Sequence, residues 1–495
     1  MRMTNVTTTA LALVVALSGL AAAELPGRIP PGQGLRIVKP LPPGEPPPVA
    51  AATVSPIIYL ERCKGGCTIR TGVNDARTLS SSIPDQPGEH YLSEFENAAG
   101  EVGAAADAEW NDLVQCVKEV YSPFGAVVTD VKPSGNTSYH VDVVAGQAPQ
   151  LGLSGSILGI SPGVSCNPAD NYVTFSFANA HGGSGRRRTE HLCWTVAQET
   201  AHTYGLDHSF KFGEKSACYD PMTYQTDCGG QKFFRNEAAT CGEYAPAACG
   251  CGGQQNSHLH LLAIFGPGTP LYDKPALTVN SPAAGATIAN STPIMATASS
   301  QRGVRFVEIW LNGYMWKRID GAPFGRDGQP ETMYSTPLPQ GVPDGVIDIV
   351  IKAMDDIDAT TESPPIRVTK GAPCTSADTC AAGQVCDGEG RCLWEPATGE
   401  LGDTCAFPQF CLTGTCAGVN ANDQRCTQEC ILGVNDSCPS SFACIENGGP
   451  NKGICWPAGA SDDDGGICSA GNGPASQASL LLLGLATLLI TRRRR

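Results

Sequence analysis

The sequence predicts an exported, multidomain protein with a mixed α/β domain, an all-β sandwich and a small disulfide-rich module. Three observations carry that expectation. The first is length: 495 residues make about three domains at roughly 100–200 residues each. The second is cysteine usage, because 23 cysteines are too many for a reducing cytosol and mark a disulfide-bonded, exported chain. The third is their distribution. Ten lie between Cys63 and Cys251 and twelve between Cys374 and Cys455, with none over 275–370, so both groups are even and Cys468 is the odd one. The 57 glycines and 38 prolines suit loops and β-structure better than a long helical bundle. A net charge of -15 argues against nucleic acid as a partner, since phosphate binding needs a basic surface.

Residues 1–23 read as a signal peptide. Arg2 supplies the positive start, Ala10 to Leu20 the apolar stretch, and Ala21-Ala22-Ala23 the small-residue cleavage site. Residues 24–50 are proline-rich and read as an extended linker with no packed core. A thiol-switch prodomain is not supported, because no cysteine precedes Cys63.

Residues 51–270 are the largest part. Ile57 to Leu60 reads as a short strand, and Cys63 and Cys67 can clip the loop after it. Trp110, Leu113, Val117 and Val120 recur at helical spacing within 105–121. Residues 125–131, 139–145 and 172–178 read as strands. Residues 189–204 read as a second helix that Gly205 stops. The order strand, helix, strands, helix predicts an α/β domain with a sheet above the second helix. Arg186-Arg187-Arg188, just before that helix, reads as a solvated run.

Residues 275–370 carry alternating strands, with Val307, Ile309 and Leu311 before an Asn312-Gly313 turn and Ile347, Ile349, Ile351 and Ala353 later. That pattern predicts a β-sandwich of about 100 residues. The opening Val279-Asn280-Ser281-Pro282 and the Asp344-Gly345 turn resemble bacterial immunoglobulin-like domains, which implies a spacer or a binding module. Residues 374–456 have few large apolar side chains, so disulfides must restrict the unfolded chain there. Zinc knuckles are the alternative, and the pairing is not legible from spacing.

Residues 460–495 form a second address label. Ala478 to Thr491 is an apolar run of 14 residues, closed by Arg492 to Arg495, and is marginal against the ~20 residues of a full span. Arginines hold such an end on the cytoplasmic side. With Cys468 just before it, this tail resembles the MYXO-CTERM sorting signals of myxobacterial surface proteins. That resemblance implies a sorting or processing enzyme acting near Cys468, contact with the bacterial envelope membrane, and display on the cell surface or release. Ile467 stands where a glycine is common.

The stretch that can do chemistry is Gln198-Glu199-Thr200-Ala201-His202-Thr203-Tyr204-Gly205-Leu206-Asp207-His208. Positions 198 and 202 share one helix face, a turn apart. Glu199 can project into the same cleft, and Gly205 lets the chain bend so that His208 returns toward His202. Such a bend can gather ligands around one zinc. The stretch resembles the metzincin metallopeptidases, whose pattern is His-Glu-x-x-His-x-x-Gly-x-x-His followed by a methionine turn. Glu199, His202, Gly205 and His208 match it, and Asp220-Pro221-Met222-Thr223-Tyr224 looks like the turn.

The resemblance implies a Zn2+ held by His202 and His208, and Glu199 as the general base for the zinc-bound water. It also implies Met222 as a floor beneath the metal and Tyr224 as an oxyanion stabiliser, acting on a protein or peptide substrate. The departure is Gln198 at the first ligand position, because an amide oxygen is a weaker zinc ligand than an imidazole. Gln198 ligates through oxygen, another residue substitutes, or the fold persists without tight metal. His191 is a poor substitute, about 16 Å along the helix from His202. Asp207 and His181 remain candidates, and Cys249-Gly250-Cys251 is a rival metal site. The expected function is an exported zinc-dependent peptidase. The alternative is a catalytically degenerate metzincin-fold surface protein acting as an adhesin or binding module.

Overall fold

The computed structural model describes residues 28–29, 35–39, 54–163, 166, 168–213, 215–225, 231–321, 332–339, 341–420, 423–432, 437–447 and 452–458. The expected signal peptide and the tail with Cys468 lie outside the described residues. The chain divides into two units, Met1–Trp394 and Glu395–Arg495.

The first unit begins with an α/β domain. Its elements in order are β1 (Leu35–Lys39), β2 (Ile57–Glu61), β3 (Cys67–Thr71), β4 (Ser80–Ser81), β5 (Glu89–Leu92), α1 (Asp107–Tyr121), β6 (Val127–Thr129), β7 (His140–Val144), β8 (Ile157–Pro162), β9 (Val173–Ser176) and α2 (Gly185–Thr203). Then follow β10 (Ser209–Phe212), β11 (Lys215–Ser216), β12 (Ala239–Cys241) and α3 (Ser257–Phe265). The main sheet has the order β1-β8-β9-β7-β2-β6. Strands β9, β7, β2 and β6 are parallel to one another. β8 runs antiparallel to β9, and β1 lies parallel to β8 on its outer side.

Period-two alternation sorts the sheet's side chains into two cores. Ile58, Leu60, Val128 and Val144 pack with Trp110, Leu113 and Val117 of α1 and Leu192, Val196 and Ala197 of α2. Tyr59, Val141, Val143, Val173 and Phe175 pack on the opposite face with Ile69, Ile83 and Leu92. The helix-facing surface is not apolar throughout. On the β7 and β9 side it becomes His140, Asp142, Thr174 and Ser176, all buried, and on β8 it is Gly159. A Cβ on Gly159 would lie 2.5 Å from Glu199 Oε1 and 2.6 Å from Thr195 Cγ2. The missing side chain is what admits α2 so close to the sheet.

Leu35–Lys39, inside the stretch taken as a linker without a packed core, is a strand docked on β8, with Arg36 buried. Its Leu-x-Ile alternation is too short to stand out among prolines. Arg188, taken as solvated, is fully buried, donates to the carbonyls of Ala178 and His181, and pairs with Glu109. Arg186 makes an exposed pair with Glu190.

The β-sandwich comprises β13 (Ala276–Ser281), β14 (Pro293–Ser299), β15 (Phe306–Leu311), β16 (Tyr314–Asp320), β17 (Thr332–Pro337), β18 (Gly345–Met354), β19 (Thr360–Glu362) and β20 (Ile366–Lys370). One sheet is β13-β14-β17; the other is β16-β15-β18, with β19 and β20 both on β18. Asn312 and Gly313 take positive φ of 50° and 83°, which a two-residue hairpin turn of this hand demands. The inward residues of β15 and β18 are those the alternation picked out.

A buried ion cluster ties the sandwich to the α/β domain. Arg302 donates to both carboxylate oxygens of Asp356, at 2.7 and 2.8 Å, and to the Phe234 carbonyl at 2.8 Å. Arg235 in turn donates to the Arg302 carbonyl at 2.6 Å. Burial alone would raise the Asp356 carboxyl, yet Arg302 and Arg235 hold it down to about 2.

Cysteine pairing follows one rule in the C-terminal group. Cys374–Cys386 interlocks with Cys380–Cys392, Cys405–Cys416 with Cys411–Cys426, and Cys430–Cys444 with Cys438–Cys455. The zinc-knuckle alternative therefore gives way to disulfides. The expected single module over 374–456 divides after Trp394. Its first cysteine group belongs to the sandwich through Arg391–Asp348 at 2.7 Å and Asn312 Nδ2 donating to Cys392 O at 3.1 Å. The second unit is built of the other two interlocked pairs and short hairpins.

Replacing Asp356 with alanine leaves Arg302 and part of Arg235 as uncompensated buried charge. The expected loss is roughly 3–5 kcal/mol in chemical denaturation of the full chain. A loss below about 1 kcal/mol would show the cluster to be relaxed by solvent.

Candidate metal centre

Helix α2 presents the site. Its central position leaves Gln198, Glu199, Thr200 and His202 all at 0 % exposure. It is fixed to α1 by the Cys116–Cys193 disulfide and by the Tyr121 hydroxyl, 3.1 Å from Ala197 O and 2.7 Å from Thr200 Oγ1. The helix ends in a Schellman turn. Gly205, at φ 93°, donates to His202 O at 3.0 Å, and Leu206 N donates to Ala201 O at 3.3 Å. That turn sends the chain back, and His208 meets His202.

The two imidazoles approach through Nε2, 3.1 Å apart, with ring centroids at 4.5 Å. Their outer nitrogens both face acceptors. His202 Nδ1 lies 2.7 Å from the Leu206 carbonyl oxygen, so it carries the hydrogen there. His208 Nδ1 lies 3.5 Å from the Glu243 carboxylate. Burial depresses His202 to about 4, and burial and then His202 itself push His208 well below its ordinary value. With His202 protonated at Nδ1, its Nε2 offers a lone pair toward His208 Nε2, which a ring hydrogen of His208 or a cation shared by both rings can meet. Two nitrogen ligands of one tetrahedral zinc, each at ~2.0–2.1 Å, stand roughly 3.3–3.4 Å apart, close to what is found here. Backbone carbonyl and carboxylate partners on Nδ1 are also what orients metal-binding histidines.

The remaining donors are few. Gln198 lies one turn before His202, and neither its oxygen nor its nitrogen has a hydrogen-bond partner. A buried, orphaned amide is costly, and a cation would satisfy its oxygen. Among the described residues no third His, Cys, Asp or Glu clusters with the two histidines at metal-binding distances. Asp207, one alternative ligand, is occupied: it accepts from the amides of His208 at 2.7 Å and Gly250 at 3.1 Å. His191 packs on Trp194, ring centroids 4.7 Å apart. His181 is buried and joins Ile29 in a backbone bridge. The rival cysteine site is absent, because Cys249 pairs with Cys241 and Cys251 with Cys166.

Glu199 is buried beside Gly159, with both carboxylate oxygens unpartnered. Burial, then the Asp142 carboxylate, raise it well above the ordinary carboxyl value, and Arg36 opposes them. It is a carboxyl poised to hold a proton, as a general acid/base needs. Met222 is buried in the core with Ala201 and Leu206, and its turn is built on Asp220. That carboxylate accepts from Met222 N and Arg235 N, each at 2.9 Å, and from the Ser257 hydroxyl. The Tyr224 ring lies 4.5 Å from His208, and its hydroxyl donates to the Arg36 carbonyl.

Three residues around the centre carry no local sequence signal. Arg36 is hidden in a proline-rich stretch. Glu243 reaches His208 from 35 residues downstream, with no motif to announce it. Gly159 sits in β8, a strand not recognised because Gly-Ile-Ser-Pro interrupts its apolar run.

A family model described as a bacterial Ig domain matches residues 275–351. No curated protein matches the chain. Among solved structures, the fibronectin(III)-like modules of Clostridium thermocellum CbhA are 19% identical, with TM-score 0.15, over 19% of this chain and 96% of that one. Wild-type OgpA from Akkermansia muciniphila is 9% identical, with TM-score 0.17, over 65% of this chain and 96% of that one. Catalytically inactive OgpA in complex with an O-glycopeptide (glycodrosocin) substrate is 8% identical, with TM-score 0.18, over 65% and 95%. Likenesses this slight leave the centre to be read from its own geometry. The disulfides and the bacterial Ig domain mark an extracytoplasmic protein.

Substituting histidine for Gln198 supplies a third imidazole on the helix face of His202. Zinc affinity measured by chelator competition is expected to rise at least tenfold. An unchanged affinity would place residue 198 away from the metal.

Proposed function

We propose that residues 51–270 are a zinc-dependent peptidase domain that hydrolyses peptide bonds in a protein or peptide substrate. The observation that carries the reading is the convergence of His202 and His208 at Nε2 with both Nδ1 atoms engaged by acceptors. In this reading His202, His208 and the Gln198 oxygen hold the metal. When bound, zinc supplies Lewis acidity that brings the pKa of a coordinated water toward ~7.

Each protein group then has a proton or charge to manage. Glu199 takes a proton from the attacking water and returns it to the leaving amine, a role its raised proton affinity suits. Tyr224, beside His208, turns its hydroxyl to the developing oxyanion once it is released from Arg36. Asp220 and Gly205 position without touching substrate. Export by residues 1–23, and surface display or release through the tail with Cys468, belong to the same proposal.

A second reading is favoured by one observation, the absence of a third His, Cys, Asp or Glu at the centre among the described residues. It is a degenerate domain that binds a surface partner without cleaving it. Digestion of an unfolded protein by the full chain at saturating zinc, with and without chelator, separates the two. Glu199→Gln is expected to lower chelator-sensitive hydrolysis by roughly 10²–10⁴-fold while bound zinc stays the same. Undiminished hydrolysis in that variant would remove Glu199 from the chemistry.

A further inference from the structure

The segment that covers the centre is the chain's own N-terminal strand, and its fit is detailed. Arg36 lies opposite Gly159 in the β1/β8 register. It therefore shares the sheet face on which Glu199 packs. Its Nη2 donates to the Thr223 carbonyl at 2.9 Å, between the turn methionine and Tyr224. Its guanidinium carbon stands 5.7 Å from the Tyr224 ring centroid, and its backbone carbonyl accepts the Tyr224 hydroxyl. Arg36 is 4 % exposed.

The flanks anchor it on both sides. Leu35 N donates to Ser156 O at 2.8 Å and Gly163 N to Lys39 O at 2.7 Å. Lys39 Nζ donates to Ile83 O at 2.7 Å and lies 3.0 Å from the Asp85 carboxylate. Upstream, Ile29 exchanges backbone hydrogen bonds of 2.7 Å with Ala180 O and Gly182 N. Arg28 donates to Asn97 O at 2.7 Å.

We propose that Leu35–Lys39 is an internal inhibitor whose Arg36 guanidinium competes with the metal, so that strap docking and metal loading are antagonistic. The inference rests on the metal centre proposed above. A fixed positive charge beside Glu199 and Tyr224 repels a divalent cation in a water-excluded site, where screening is weak. The same strand holds the Tyr224 hydroxyl and occupies the open edge of β8. Unlike a residue that ligates the metal, an arginine has no lone pair to offer. It acts by replacing the cation's charge. Displacing the strap frees an unpaired strand edge, the cation site and the tyrosine hydroxyl together.

Two measurements on the full chain test this. Chelator competition compares zinc affinity in the native chain, Arg36→Ala and Arg36→Lys. Removal of the charge is expected to raise affinity at least tenfold, with the lysine variant close to native. Hydrogen exchange, read by mass spectrometry on peptides covering 35–39 and 157–162 of the native chain, needs no variant. Saturating zinc is expected to speed exchange in both. Equal zinc affinity in native and alanine chains, or zinc binding with unchanged protection of both strands, overturns the antagonism and leaves the peptidase reading standing. Failure of zinc to bind native, Arg36→Ala and Gln198→His chains alike overturns both.

Discussion

The centre depends on the contact between two imidazole nitrogens, and that contact depends on a turn. Gly205 takes a positive φ that side chains disfavour. The resulting Schellman turn satisfies the carbonyls of Ala201 and His202. The same turn aims the Leu206 carbonyl at His202 Nδ1. One stretch of backbone thus ends the helix, fixes a tautomer and returns His208 to face its partner. Few other residues take that φ without strain, so the turn is most readily supplied by glycine.

Around this contact the domain is arranged to keep charge buried yet managed. The sheet face under α2 passes from Ile58 and Leu60 to Asp142, Thr174 and Ser176. Asp142 is raised to about 7, by burial above all, although the hydrogen bond from Thr174 opposes the shift. Its ionisation weakens the fold as pH rises from the ordinary carboxyl range toward 7, since the folded chain holds the proton longer. The polar lining is costly to the core, and its Asp142 carboxylate adds to burial in raising Glu199. The Asp220 hub and the Cys116–Cys193 disulfide supply rigidity that the polar lining does not.

Much of this was legible in the sequence. Helical spacing revealed α1 and α2, alternation revealed β15 and β18, and the Gln198 to His208 stretch held the two histidines whose rings the fold brings together. Local pattern cannot see what arrives from a distance. Arg36 comes from a five-residue strand whose partner is more than a hundred residues away, and Glu243 from a loop with no periodicity. The interlocked cysteine pairs depend on three-dimensional closure that spacing does not encode. The first cysteine group joins the sandwich through Arg391 meeting Asp348, an ion pair no composition change announces.

The most direct measurement is zinc K-edge X-ray absorption on the loaded full chain. Two imidazole nitrogens at about 2.0–2.1 Å, accompanied by oxygen and no sulfur, are the expected shell. Loss of one imidazole contribution in His208→Ala completes the expected result. A shell dominated by sulfur, or one unchanged when His208 is removed, would contradict the convergence of these two rings on a single cation.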